Sequence, residues 1–339
     1  MQIYEPVAAA SAGIWRVSGP GWSLVLKVLR HSVEGHRHWR SGEDEDHWYY
    51  WRREAVAYES GLLSSLAGQL RPPRCALVAE RPDGSVALWL EDAGGTPGVD
   101  WATDHYGLAA RHLGQAQGEF AAGRSLPPHR WLSRDWLRAY LAQRDGDLEL
   151  VGDPEAWRRG PLREWFPAPP VEEQRAMRAG QDEFLAALDG MPQTVCHFDL
   201  HPANLFSVGG ETVLIDWSFV GIGPVGMDPA TLVADAVLDF HVAADRADAL
   251  FEHVLEGYVE GLADAGWRGN RELVRLAMAA TVAARYAWIA PAMLRVVEQG
   301  NEQLNRRPLE AALQWWAPAV EFLLRQTARA RDLQRRLNG

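Results

Sequence analysis

One lysine stands in this chain against 33 arginines, and it lies inside an apolar run, Leu24-Val25-Leu26-Lys27-Val28-Leu29. The run is β-rich, and alternate side chains of a strand share a face, so Lys27 points the same way as Val25 and Leu29, toward a covered surface. An ammonium held under cover needs an anionic partner. Arginine can serve as a generic surface cation, but its broad planar fork cannot replace a compact ammonium at a site shaped for one. Lys27 is therefore a candidate for specific chemistry.

Ile14 to Val17 and Ser23 to Leu29 form a predicted hairpin across Gly19-Pro20-Gly21. Helical spacing of Ala55, Tyr58, Leu62 and Leu66 predicts a helix over 50–66, stopped by Arg71-Pro72-Pro73, with Glu54 on the face of Tyr58 and Leu62. A further strand, Ser85 to Leu90, runs into Glu91-Asp92-Ala93-Gly94-Gly95, whose glycine pair reads as a flexible connection. The division predicted from this pattern is a β-rich lobe over 1–90, a hinge over 91–95 and a largely helical lobe over 96–339. In that second part Ala109, Leu113, Ala116 and Phe120 repeat at helical spacing, as do Phe184, Leu185 and Leu188. Long amphipathic stretches follow at Leu232–Leu262, Glu272–Val297 and Leu309–Leu337. The span Gly152–Pro170 reads as a loop or inserted helix pair. The one clear β element there is a hairpin of Asn204–Val208 and Thr212–Asp216 turned by Gly209-Gly210.

At 339 residues the chain exceeds one ordinary core, which favours two packed lobes and leaves room for a cleft. A formal net charge of −11 disfavours sequence-independent nucleic-acid binding and suits a cationic ligand. The N-terminal Met-Gln-Ile-Tyr-Glu lacks the features of a signal peptide, and Arg275, Arg285 and Pro291 interrupt the most apolar run, so a cytoplasmic protein without a membrane span is expected. Cys75 and Cys196 lack ligand spacing and read as reduced core residues.

The segment His197-Phe198-Asp199-Leu200-His201-Pro202-Ala203-Asn204 leads into the Gly-Gly hairpin, which ends in Ile215-Asp216-Trp217. If the two strands pair, their outer ends meet and the Asn204 amide comes beside the Asp216 carboxylate. One carboxylate and one amide oxygen, with room for phosphate and water, suit Mg2+ better than a transition metal. Asp199 enters the same hairpin without being required as a ligand, the position of a group that orients an incoming hydroxyl.

His-x-Asp-x-x-x-x-Asn followed by an apolar strand ending in Asp resembles the catalytic and metal segments of aminoglycoside phosphotransferases and related choline-kinase-like enzymes. The resemblance spans most of the chain and implies an α+β bilobal protein-kinase-like fold, with ATP or GTP and Mg2+ as cofactors. It implies that Asp199 accepts the hydroxyl proton and that Asn204 and Asp216 hold the metal. Lys27 then matches the strand lysine on the α/β-phosphates, Glu54 its helix partner, and Leu90–Asp92 the hinge whose backbone holds adenine. Two features depart from the pattern. The phosphate-covering loop is Val7-Ala8-Ala9-Ala10-Ser11-Ala12-Gly13, with a single glycine, where backbone donors and Ser11 would cover the phosphates. Only Trp217 to Pro229 separates Asp216 from the next helix, too little for a peptide-docking activation loop. The acceptor expected is a small hydroxylated molecule, such as an aminoglycoside, another amino sugar or a natural product.

His197 reads as a brace for the loop, His201 stays open, and Asp228 reads as the cap of the following helix or an acceptor contact. The acidic run Glu43-Asp44-Glu45-Asp46 reads as solvated, and the tryptophans as core anchors. An alternative function is a non-catalytic kinase-like protein that binds a ligand or peptide and acts with a partner enzyme. A hydrolase using Asp199 and Asp216 alone would leave Lys27 and Asn204 without roles.

Overall fold

The computed structural model of the protein describes residues 2–4, 10–32, 40–144 and 148–338. Residues 7–9 of the predicted phosphate-covering loop lie outside them. The glycine-proline turn joins two strands as expected, and these belong to a five-stranded sheet. Its strands are β1 (Gln2–Tyr4), β2 (Ser11–Gly19), β3 (Trp22–Leu29), β5 (Cys75–Glu80) and β6 (Val86–Glu91), in the order β1-β2-β3-β6-β5. Lys27 sits on β3 opposite Ile14 of β2 and Leu88 of β6, so strands flank it on both sides. Leu29, Val86, Leu88 and Leu90 pack on Ala55 of helix α1 (Arg53–Glu59). That contact fixes the helix over the lysine-bearing strand.

The predicted 50–66 helix is only this short α1. Gly61 turns left-handed at φ +74°, which ends the helix, and a single 3-10 turn follows at Leu63–Ser65. Strand β5 had no counterpart in the sequence reading. It is a sheet edge with a register irregularity between Cys75 and Leu77, so its burial does not alternate cleanly.

The Gly-Gly hairpin consists of β9 (Leu205–Val208) and β10 (Glu211–Leu214), with Gly209 and Gly210 both at positive φ. It is not isolated, because two short strands join it: β4 (Leu70–Arg71) pairs with β10 and β7 (Thr96–Pro97) with β9. The Gly94-Gly95 connection is pinned rather than flexible. Gly95 stands at φ +90° so close to the hairpin that a Cβ would lie 2.1 Å from the Ser207 carbonyl oxygen. Local sequence cannot reveal two-residue strands like these, whose register is set by partners more than a hundred residues away.

The chain forms two compact units, one of residues 1–140, 193–223 and 256–268 and the other of 141–192, 224–255 and 269–339. Besides the sheets, the first contains α2 (Thr103–Ala121), most of α3 (Trp136–Ala142), β8 (Gln193–Cys196) and most of β11 (Gly221–Pro224). The second is mainly helical, with α4 (Leu148–Gly152), α5 (Leu162–Trp165), α6 (Val171–Ala179), α7 (Gln181–Asp189) and α8 (Met227–Leu238). It also contains the start of α9 (Ala247–Asp264), then α10 (Arg271–Arg285), α11 (Ile289–Glu298) and α12 (Leu309–Asn338). The amphipathic stretch 232–262 is broken between α8 and α9, where Phe240 takes φ 68°. The span Arg271–Glu298 is apolar enough for a membrane crossing by length and composition, but 83% of its apolar window is buried inside the protein.

Candidate active site

Lys27 is 4% exposed and meets two carboxylates. Its Nζ lies 2.6 Å from Glu54 Oε2 on α1 and donates at 2.7 Å to Asp216 Oδ1, just past β10. The anionic partner demanded by the sequence is thus supplied twice. Burial works against the Lys27 charge, but the Asp216 and Glu54 carboxylates outweigh it and hold the ammonium above its ordinary value. Burial also pushes Glu54 up, only partly opposed by Lys27. For Asp216 the balance reverses: burial would raise it, yet the lysine draws it down to about 2. Asp216 is anionic at neutral pH, and its side chain remains about a third exposed (35%), with one oxygen engaged by Lys27.

The loop leading to Asp199 is held by its neighbours. His197, 1% exposed, accepts at Nδ1 from the Asp199 N–H at 3.3 Å, and its Nε2 lies 3.0 Å from the Ile215 carbonyl. Those contacts require the neutral tautomer that donates from Nε2, and they make His197 a brace between the Asp199 loop and the Asp216 strand. Gln117 of α2 supports the preceding strand: its Nε2 donates to the Val195 carbonyl at 3.0 Å, and its own carbonyl accepts from Thr194 at 3.0 Å.

Between His197 and Asp199, Phe198 adopts φ 67°, a left-handed conformation that strains a bulky residue by about 1–3 kcal/mol. Its ring is stacked on Trp136 at 5.2 Å and lies over Gly221 and Gly223. A Cβ on Gly223 would stand 2.6 Å from the ring. The Gly-Ile-Gly segment was the sequence signal for this seat, but it carries no meaning until Phe198 is placed on it. Gly223→Ala is expected to lower stability by about 1–3 kcal/mol through overpacking, measured by urea unfolding, and to depress any activity through the displaced loop. An unchanged midpoint would show that the ring has room to move.

Asn204 closes the 3-10 turn Pro202–Asn204, and its Nδ2 donates to the Asp199 carbonyl at 2.9 Å. A carbonyl only accepts, so this bond fixes the amide orientation and leaves the Asn204 oxygen available as an acceptor. On the strand side, Ile215 N–H donates to the Asn204 carbonyl at 2.9 Å, and Asp216 follows directly. The donor chemistry fits a hard cation: an oriented amide oxygen and an exposed anionic carboxylate. Among the described residues no group of three or more His, Cys, Asp or Glu could hold a metal alone. A cation here would need further oxygens from a bound ligand and water.

One cleft of about 520 Å³, contained within the first unit, is lined by each residue to which the resemblance gave a role: Ser11, Lys27, Glu54, Leu90, Asp92, Asp199, Asn204 and Asp216. The sequence reading missed its apolar walls, Ile14 and Val25 on one side and Phe206 and Ile215 from the hairpin region. Such walls suit a flat ring system. The Asp92 side chain is engaged by Arg16 at 2.7 and 2.9 Å and by Ser23 Oγ at 2.6 Å, which leaves its backbone as the group presented to a ligand. His201 also lines the cleft, with Nε2 3.8 Å from Asp199 Oδ2. Asp228 is fully buried in the first turn of α8 and is not its N-cap, a position taken by Gly226. The acidic run 43–46 is exposed, as expected.

Residues 5–273 match the phosphotransferase enzyme family, APH, and the chain belongs to that family. A segment of 78 residues is 31% identical to methylthioribose kinase of Bacillus velezensis; the match spans 23% of this chain and about a fifth of that kinase (20%). Among solved structures, an aminoglycoside phosphotransferase from Alicyclobacillus acidocaldarius superposes with a TM-score of 0.58 at 14% identity, covering 95% of this chain and 92% of that one. An amicoumacin kinase in complex with AMP-PNP and Ca2+ gives 0.54 at 14% identity over 98% and 87%. These likenesses establish the α+β kinase-like fold of the family.

Proposed function

We propose that the protein is an ATP-dependent small-molecule kinase that moves the γ-phosphoryl group to a hydroxyl of a cationic acceptor such as an aminoglycoside or another amino sugar. The observation that carries this reading is the placement of Lys27, clamped by Glu54 and Asp216, in the same cleft as Asp199 and Asn204. Neither a binding module nor a carboxylate-pair hydrolase requires that combination. The adenine ring would lie between Ile14, Val25 and the Phe206–Ile215 side, with backbone groups of the 91–95 connection reading its edge. Lys27 neutralises the α- and β-phosphates, and Ser11 with its neighbouring backbone covers them. Asn204 and Asp216 would hold Mg2+, which would supply charge neutralisation at the phosphates. Asp199 orients the acceptor hydroxyl and takes its proton as the oxygen bonds to the γ-phosphorus and the bond to the β-phosphate oxygen breaks, leaving ADP.

The acidic balance of the chain, −11, favours a cationic acceptor. Dependence on ATP suits the cytoplasm as the site of action. The nucleotide half is tested by thermal unfolding with and without Mg2+ and ATP or GTP. At a hundredfold excess over Kd a ligand stabilises by about 2.7 kcal/mol, a shift of several degrees. The expected result is a Mg2+-dependent rise with at least one of the two nucleotides, lost in Asp216→Asn. No shift with either would contradict the proposal, and a shift without any turnover would favour a non-catalytic binding protein.

A further inference from the structure

Arg53, the residue before Glu54, is 0% exposed and has no carboxylate partner among the described residues. A buried guanidinium without a counter-ion is costly unless its donors are fully used. Here they are spent on backbone carbonyls: Nε donates to Trp131 at 2.7 Å, Nη2 to His47 at 2.6 Å, and Nη1 to Trp48 at 2.8 Å and Ser218 at 3.4 Å. The planar fork thus joins three segments remote from one another in sequence. Ser218 lies two residues beyond Asp216, and the intervening Trp217 N–H donates to Glu54 Oε1 at 3.3 Å. Consecutive residues of α1 therefore grip consecutive residues of the Asp216 loop. The bound turn is packed as well: Trp48 stacks on Phe219 at 5.8 Å with 9° between planes, and Tyr49 meets the same ring at 4.7 Å.

We propose that Arg53 is a positioning residue for phosphotransfer, holding α1 against the Asp216 loop so that the Lys27–Glu54 pair is assembled before nucleotide arrives. The inference rests on the kinase reading for its functional meaning, but its structural half concerns the free protein and is tested there. Protein kinases with a mobile helix at this place form the ion pair only when activated. The guanidinium bonds leave α1 no comparable swing, because moving it would strand a buried charge, the buried Trp131 carbonyl and the partly buried carbonyls of His47, Trp48 and Ser218.

The test is hydrogen exchange on the free full-length protein, compared among wild type, Arg53→Lys and Arg53→Met, together with calorimetric titration of AMP-PNP and Mg2+. In wild type the amides of α1 and Trp217 are expected to be protected without nucleotide. In Arg53→Lys, whose ammonium cannot reach all the carbonyls, exchange there is expected to rise about tenfold or more while β6 is unchanged, and AMP-PNP affinity to fall. Arg53→Met is expected to go further in the same direction. If it does not fold, Arg53→Lys decides. Rapid exchange of wild-type α1 that slows only with nucleotide would overturn the proposal. So would equal loss of protection in α1 and β6, the mark of a merely structural residue, or unchanged exchange in a folded Arg53→Lys. Wild-type protein that binds no nucleotide but shows the local exchange pattern would count against the kinase reading alone.

Discussion

Asp199→Asn is expected to lower kcat by about 10²–10⁴-fold while changing Mg2+-nucleotide affinity by no more than about twofold. The substitution keeps the shape of the side chain and removes the anion proposed as proton acceptor. Its effect is expected mainly on chemistry because the side chain, 29% exposed, faces the cleft, and the shorter bond that orients the Asn204 amide, at 2.9 Å, runs to the Asp199 backbone carbonyl, which the substitution keeps. Asp216→Asn serves as the contrast. It removes the charge that Lys27 contacts at 2.7 Å and the carboxylate proposed as a metal ligand, so both nucleotide affinity and turnover should fall. Single-turnover rates combined with titration of the nucleotide separate the two variants. Turnover of Asp199→Asn at the wild-type rate with chemistry limiting, or a loss of nucleotide binding like that of Asp216→Asn, would refute this division of roles.

The other large effect is expected at Lys27. Lys27→Ala leaves Glu54, 1% exposed, without its counter-charge, and breaking a buried pair costs about 3–5 kcal/mol. Nucleotide affinity is expected to fall by more than about tenfold in the same variant, because the α/β-phosphates lose their cation. Lys27→Arg keeps the charge but should restore neither property fully: two carboxylates close on a single nitrogen at 2.6 and 2.7 Å, a geometry a planar fork cannot reproduce. Chemical denaturation and nucleotide titration read the two losses separately. Wild-type values for Lys27→Arg would show that the solitary lysine carries no special requirement.

What could be read from the sequence follows the range over which each feature is determined. Lys27 was legible because an ammonium in an apolar strand is a local contradiction, resolvable only by a partner elsewhere. The Asp199–Asn204 turn and the hairpin to Asp216 were legible because Gly209-Gly210 fixes their pairing locally. Arg53 was not, since an arginine at a helix start looks like a surface residue until the carbonyls of His47, Trp48, Trp131 and Ser218 converge on it. Strands β4 and β7 were hidden for the same reason, being two residues each and defined by the hairpin they join. The length of α1 was overestimated because helical spacing persists through Leu62 and Leu66, whereas Gly61 already ends the helix.

The central claim, transfer of a γ-phosphoryl group to a small hydroxyl, is tested most directly by ³¹P NMR of ATP and Mg2+ incubated with the protein and a panel of aminoglycosides, amino sugars and other hydroxylated amines. One acceptor class is expected to yield ADP and a phosphomonoester in equal amounts, and Asp199→Asn to slow their appearance by about 10²–10⁴-fold. Bound nucleotide that stays intact across the whole panel, or ATP split to free phosphate at a rate no acceptor alters, would contradict it.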